Sequence, residues 1–160
     1  MLIGLALHAL SQNLVSSFLD TLDKDSKKGI TQVNISGTML RLASKNDPNI
    51  DNEMKKFFEN IDKISLISRL TVNDVLKSKL DELLSPYEEL IQVIEENQTI
   101  RMHTKETKKQ IEEFILYVLF ENELTLMSIT GKIDLKQIAR LSESVKIQGV
   151  EHLNKVNRKK

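Results

Sequence analysis

Alternation of apolar and polar side chains predicts six β-strands in this chain. Most of the six segments alternate with a period of two, which is typical of a strand with one solvated face. The polar pairs Asn97-Gln98 and Asn122-Glu123 separate neighbouring segments and indicate turns. The predicted strands cover residues 30–36, 63–70, 90–96, 99–105, 112–121 and 124–130. An antiparallel sheet of about six strands is therefore expected.

Apolar residues at helical spacing predict five helices, near residues 14–22, 39–43, 51–60, 72–84 and 135–145. The second helix is expected to end before Pro48, because proline disfavours helical geometry in the residue before it. The fourth is expected to end at Ser85-Pro86. Its buried stripe is predicted to consist of Val72, Val75, Leu76, Leu80, Leu83 and Leu84.

Two of the predicted helices begin at sequences with the spacing of a capping box. Thr71 is expected to cap the fourth helix, with Asp74 in the reciprocal position, and Asp134 is expected to cap the fifth, with Gln137 three residues later. Gly131 is expected to supply the backbone freedom for a turn before Asp134. Residues 124–141 therefore predict a strand, a glycine turn and a capped helix in direct succession.

The order of elements predicts a single α+β domain, a mainly antiparallel sheet of about six strands with helices packed against one face. Residues 12–153 are assigned to this domain and residues 154–160 to a basic tail. The segment 114–120 is apolar on both faces, so it is expected in the middle of a sheet covered on both sides. Helices that wrap both faces are expected to supply that cover, and a second copy is the alternative. We expect a compact monomer, and the weaker alternative is a dimer through this sheet.

The first ten residues form an uncharged apolar run that is too short to span a bilayer. Ala9 and Ser11 are small residues at the positions that a signal peptidase reads, and Gln12 follows. We interpret residues 1–11 as the remnant of a secretory signal and expect an exported, periplasmic or extracellular protein. The alternative is an ordinary N-terminal helix, since Leu14, Phe18 and Leu22 continue a helical spacing.

The amino-acid composition excludes several classes of function. The 160 residues contain 23 basic and 23 acidic side chains, so no net charge attracts nucleic acid. Aromatic residues make up 4% of the chain, too few for a base-stacking platform. Cysteine is absent, which removes disulfides, thiolate metal sites and cysteine nucleophiles.

The histidines are weak candidates for a site. His103 is expected on the solvated face of a strand between Arg101 and Lys105, where three donors on alternate residues could bind an anion. An ordinary solvated strand face explains the same pattern and is favoured. His152 follows Glu151, but no second histidine or carboxylate occurs at helical spacing on that segment, so a metal site is not expected there.

No combination of residues indicates catalysis. The role of Asp134 as a cap already accounts for it, and the neighbours Glu95-Glu96 and Glu112-Glu113 point to opposite faces of their strands. No nucleophile elbow or phosphate-binding glycine loop is present. The basic cluster 158–160 is a weak signal for anionic lipid. We therefore predict no catalytic, cofactor-binding or metal-binding residues and no cofactor.

Three segments of the chain resemble the domain-of-unknown-function family 4252, small exported proteins of Bacteroidetes-type bacteria. They are ITQVNISGTMLRLASK, LISRLTVNDVLKSKLDELL and SITGKIDLKQIARLSESVKIQGVEHLNK. The chain departs from the family pattern at Lys132, where an acidic residue is usual, and at Asn122, where a glycine is common. The resemblance implies an exported bacterial domain without a known reaction, from a family often encoded near sigma-factor regulatory genes.

The sequence therefore favours a non-enzymatic binding or envelope-associated protein with an unknown protein or envelope partner. The alternatives are a regulatory partner in an envelope or sigma-factor signalling pathway and an enzyme whose site is assembled from distant residues. An exposed apolar patch or an unpaired strand edge would support binding. A deep pocket lined by polar groups with perturbed protonation would support an enzyme.

Overall fold

The computed structural model describes the backbone of residues 12–145 and the side chains of residues 12–140. The predicted signal remnant, His152 and the basic tail lie outside the described residues. The elements are α1 (Leu14–Thr21), β1 (Thr31–Ser36), α2 (Gly37–Asn46), α3 (Asn52–Asn60), β2 (Ile61–Thr71), α4 (Asp74–Leu84), β3 (Glu88–Ile94), β4 (Gln98–Thr107), β5 (Gln110–Phe120), β6 (Glu123–Ile133) and α5 (Leu135–Val145). They confirm the predicted α+β fold and its order of elements.

The strands form one sheet in the order β1-β2-β6-β5-β4-β3, and every neighbouring pair is antiparallel. The strands β3 to β6 follow one another as a meander. The chain reaches the meander from β2 through α4, and β2 then pairs with β6, the last strand. Within the described residues β1 and β3 are consequently the two edges of the sheet.

Helices cover both faces of the sheet, so the expectation that they pack against one face was wrong. The helices α1 and α4 pack on the face that contains Ile115 and Tyr117, which we call the α1/α4 face. The helices α2, α3 and α5 pack on the face that contains Phe114 and Leu116, which we call the α2/α3/α5 face. The reason is β5 itself, since a strand that is apolar on both sides needs cover on both. The cover predicted for residues 114–120 is confirmed and lies within this chain.

The start of α4 differs from the prediction. Asn73 is its N-cap, and Asn73 Oδ1 accepts a hydrogen bond of 2.9 Å from the Leu76 backbone N–H. Thr71 is the last residue of β2, so its assignment as the cap was wrong. Val75 is 63% exposed and does not belong to the buried stripe, which contains Leu76, Leu80 and Leu84 at intervals of four residues.

Gly131 does not form the predicted turn. β6 continues through it to Ile133, and the register of β6 shifts against both neighbouring strands close to this glycine. Gly131 has a φ of +143°, and a Cβ there would lie 2.2 Å from the Asn60 carbonyl oxygen. Glycine is therefore required by the backbone conformation and by the close approach of the junction between α3 and β2.

Asp134 precedes α5 and accepts backbone hydrogen bonds there, as predicted for a cap. Asp134 Oδ1 accepts from the Lys136 N–H at 2.9 Å, and its carbonyl oxygen accepts from the Gln137 N–H at 3.0 Å. A capping box requires the side chain of the cap to bind the N–H of the third helical residue, here Gln137. The Asp134 side chain instead binds the second, Lys136. None of the helices in residues 12–145 is long and apolar enough to cross a membrane.

Candidate functional site

The histidine that sequence analysis placed on a solvated strand face is buried. The register of β4 with β5 puts Arg101, His103 and Lys105 on the α1/α4 face, opposite Tyr117, Ile115 and Glu113 respectively. His103 is 2% exposed, so the predicted solvated stripe was wrong. The prediction failed because strand alternation identifies the two faces but not the helices that cover each.

Arg101 forms ion pairs with two carboxylates of its own domain. Its Nη1 lies 2.6 Å from Asp81 Oδ1 on α4, and its Nε lies 2.9 Å from Glu89 Oε2 on β3. The guanidinium also lies over the Tyr117 ring, 5.6 Å from its centroid. Burial alone would disfavour the charge, but the hydrogen bonds to Asp81 and Glu89 outweigh it and raise the pKa of Arg101. The two carboxylates offset the guanidinium charge that would attract an external anion.

Neither ring nitrogen of His103 has a hydrogen-bond partner among the described residues. Its Nε2 lies 3.6 Å from Glu89 Oε2, beyond a good hydrogen bond. Burial and the nearby Arg101 charge lower the pKa of His103, while Glu89 and Asp81 oppose the shift. Burial and the lowered pKa favour the neutral imidazole, and a ring held away from solvent is poorly placed to exchange a proton with a substrate.

A second polar cluster is centred on Glu113, which is 5% exposed on the α1/α4 face. Its Oε1 accepts hydrogen bonds from the Leu14 N–H at 2.8 Å and from Ser128 Oγ at 2.6 Å. Its Oε2 accepts from the Tyr87 hydroxyl at 2.6 Å. Burial and the bond to Glu113 raise the pKa of Tyr87. The cluster fastens the first turn of α1 to the middle of the sheet.

This role of Glu113 was not predicted from the sequence. The sequence predicted correctly that Glu112 and Glu113 point to opposite faces, since Glu112 is exposed and Glu113 is buried. The available signal was a charged residue at the start of a strand that is apolar on both faces. The three hydrogen-bond donors to Glu113 come from distant parts of the chain, so their identity depends on the fold.

A half-open groove of about 740 Å³ lies beside the start of α1. Lys63, Lys105 and Lys132 line it together with Asp62, Glu112 and Glu113. Three basic and three acidic side chains thus line the groove, so its charge favours neither anions nor cations. No group of three metal-ligating side chains occurs among the residues that the structure describes.

The most distinctive surface is the free edge of β1, which we call the β1 edge (residues 31–36). In the described part of the chain β1 has a strand neighbour on one side only. Its sequence TQVNIS contains no charge and no proline, and its register with β2 has no bulge. The opposite edge strand β3 starts with Glu88 and Glu89 and carries a register shift after Glu89. Charges and bulges protect edges against pairing, so β3 is protected and β1 is not.

Apolar side chains are exposed on β1 and on the helix that follows it. Val33 points to the α2/α3/α5 face, because it pairs with Leu66 on β2, and it is 38% exposed. On α2, which follows β1 directly, Met39 is 59% exposed and Leu42 is 54% exposed. These two lie three residues apart and are therefore neighbours on the helix surface. An unprotected edge beside exposed apolar side chains is typical of a protein-binding surface.

These features define an antiparallel α+β domain with helices on both faces and one unprotected edge. A family model described as "Domain of unknown function (DUF4252)" matches residues 23–141, well over half of the chain. The chain therefore belongs to this family, as the resemblance predicted. The match runs from before β1 into α5 and includes the β1 edge. No curated protein and no solved structure matches the chain.

Proposed function

We propose that this protein is an exported bacterial domain that acts by binding a protein at the β1 edge and catalyses no reaction itself. The observation that carries the proposal is the contrast between the two edges of the sheet. β3 is protected by Glu88, Glu89 and a bulge, whereas β1 has a regular register, carries no charge and is mostly exposed.

Strand addition at an edge is an established mode of protein recognition. The outward N–H and C=O groups of the edge bind the backbone of an extended segment, and pockets for alternate side chains provide selectivity. At β1, Val33 and the α2 residues Met39 and Leu42 offer apolar contacts on one face. Gln32 and Asn34 offer amide groups on the other. A segment that alternates apolar and polar side chains fits both faces.

Export is supported by the apolar first ten residues and by the small residues Ala9 and Ser11 before Gln12. Cleavage after Ser11 retains Asn13, the N-cap of α1, whose side chain accepts a hydrogen bond from the Ser16 N–H. It also retains the bond between the Leu14 N–H and Glu113. A signal ending at Ser11 is thus compatible with the fold.

Photo-crosslinking in cells tests the proposal. A photoreactive amino acid is placed at Val33 on β1 or, as the matched control, at Ile94, which is 70% exposed on the edge strand β3. We expect discrete covalent adducts with protein in the envelope fraction for the Val33 probe and none for the Ile94 probe. Equal labelling at the two positions, or none at Val33, would refute binding at the β1 edge.

A further inference from the structure

We infer that the β1 edge binds the β1 edge of a second copy of this chain, in antiparallel orientation, so that two sheets join into one. This inference rests on the proposed function and names the partner. It departs from the monomer expected from the sequence. That expectation rests on cover for the two faces of residues 114–120, whereas the inferred contact lies at an edge of the sheet.

Charge is the first reason to choose a second copy. A twofold axis pairs the residues of an edge strand with residues of the same strand, and a charged residue near the axis then meets its own equivalent, which destabilises the cross-strand pair. β1 contains no charged residue, and self-pairing therefore carries no such repulsion. The same operation at β3 brings two copies of Glu88 or of Glu89 together when the axis lies at that end of the strand, where a register shift also interrupts regular pairing.

Side-chain alternation restricts the register of the pair. Residues directly opposite in an antiparallel pair point to the same face of the sheet. The twofold axis must therefore lie midway between one residue and its own equivalent in the second copy. An axis at Val33 places the exposed valine against its equivalent and Thr31 opposite Ile35. It also places Gln32 opposite Asn34, which pairs amide with amide on the α1/α4 face. Apolar and β-branched side chains then meet on one face and polar ones on the other, a favourable set of cross-strand contacts.

The helix α2 extends the contact. An axis perpendicular to the sheet keeps both copies of α2 on the same face, because it does not exchange the two faces. The exposed Met39 and Leu42 then lie on the side of the sheet where Val33 meets Val33. They add exposed apolar surface on that side of the sheet, which a short strand alone does not provide.

Sedimentation of the full chain over a range of concentrations is the first test. We expect wild type to form a dimer at micromolar concentrations and Val33→Lys to weaken it by at least about tenfold, because two lysines would face each other at the axis. The matched control Ile94→Lys places a charge on the other edge and should leave the dimer intact. A mixture of Val33→Lys and Val33→Glu should dimerise again, which excludes misfolding as the cause. A monomeric wild type at all concentrations would overturn the inference.

Cysteine crosslinking tests the register, and the natural absence of cysteine gives a clean background. With the axis at Val33, Thr31→Cys and Ile35→Cys proteins should crosslink when mixed and hardly at all when alone. Val33→Cys should crosslink with itself. Efficient crosslinking of either Thr31→Cys or Ile35→Cys alone would overturn this register.

The two proposals fail in different ways. If wild type stays monomeric but the Val33 photo-probe labels a different protein in cells, the second copy is wrong as the partner and the β1 edge remains a binding site. If the Val33 probe labels nothing, the binding site itself is wrong. Adducts with twice the mass of the chain, together with a dimer in solution, support both proposals.

Discussion

The Tyr87 hydroxyl donates a hydrogen bond of 2.6 Å to Oε2 of Glu113, which lies 26 residues later on the central strand. This contact joins the segment after α4 to the same carboxylate that holds the start of α1 through Leu14. One buried side chain therefore fixes both helices of the α1/α4 face.

Removal of this carboxylate should destabilise the fold strongly. Glu113→Ala leaves three donors without their acceptor, and we expect the free energy of unfolding to fall by about 3 kcal/mol or more in a urea titration. Glu113→Gln should cost less because it keeps one acceptor oxygen. The neighbouring exposed Glu112→Gln is the control and should change stability by no more than about 0.5 kcal/mol. Similar small losses for Glu113→Ala and Glu112→Gln would show that the cluster contributes little.

Gly131 should not tolerate a side chain. Gly131→Ala is expected to lower the free energy of unfolding by at least about 2 kcal/mol, because of its φ of +143° and the approach of the Asn60 carbonyl oxygen. Gly131→Val should cost more, since a β-branched residue is more strained there.

Gly29 offers a matched control for Gly131. It also has a positive φ, +80°, but a Cβ there would meet nothing within 4 Å. Gly29→Ala should therefore cost about 1 kcal/mol, the backbone contribution alone. If the two alanine variants lost equal stability in denaturant titrations, the steric argument at Gly131 would be wrong.

Asp134 should act as a helix cap and nothing more. Asp134→Ala is expected to cost about 1 kcal/mol, whereas Asp134→Asn and Asp134→Ser should change the free energy of unfolding little. Thermal or denaturant unfolding measures this order. A large loss for Asp134→Asn would indicate that the charge has a role beyond accepting the Lys136 N–H.

Acid should destabilise the protein partly through His103. Burial and Arg101 hold its pKa below the ordinary value of 6.5, so the unfolded chain takes up a proton through that pH while the folded protein resists it. Stability should therefore fall as the pH decreases from about 7.5 to 5. Glu89 and Asp81 also face His103 and partly offset the effect.

Replacement of His103 isolates its contribution. His103→Leu should show a smaller loss of stability over the same pH range, because it has no imidazole to protonate. At neutral pH it should not be less stable than wild type, since the ring nitrogens of His103 have no hydrogen-bond partners among the described residues. An identical pH dependence for both proteins would remove His103 as the cause.

The exported form should begin at Gln12, with a free or cyclised N-terminus. Mass analysis of protein expressed from the full native gene and recovered from the cell envelope or the medium measures this. An intact Met1 on protein in the cytoplasmic fraction would contradict export.

Periodicity was sufficient to determine the elements of this protein and their order. The alternation in β1, β2 and β6 and the helical spacing in α1 and α4 predicted each element to within a few residues. The cap Asp134 was also readable, because it contacts residues only two or three positions away, whereas the cap of α4 is Asn73 and not the predicted Thr71. These features depend on interactions between near neighbours in the chain, which the sequence displays directly.

Properties that depend on distant pairing came from the tertiary structure alone. The pairing of β2 with β6 leaves β1 as an edge, and α4 covers the strand face that contains His103. Glu113 acquires its donors from Leu14, Tyr87 and Ser128 only when those segments converge. Gly131 is required because the chain at Asn60 passes against it. Each outcome depends on which remote segment of the chain lies against a given side chain. A local sequence pattern does not determine those long-range contacts.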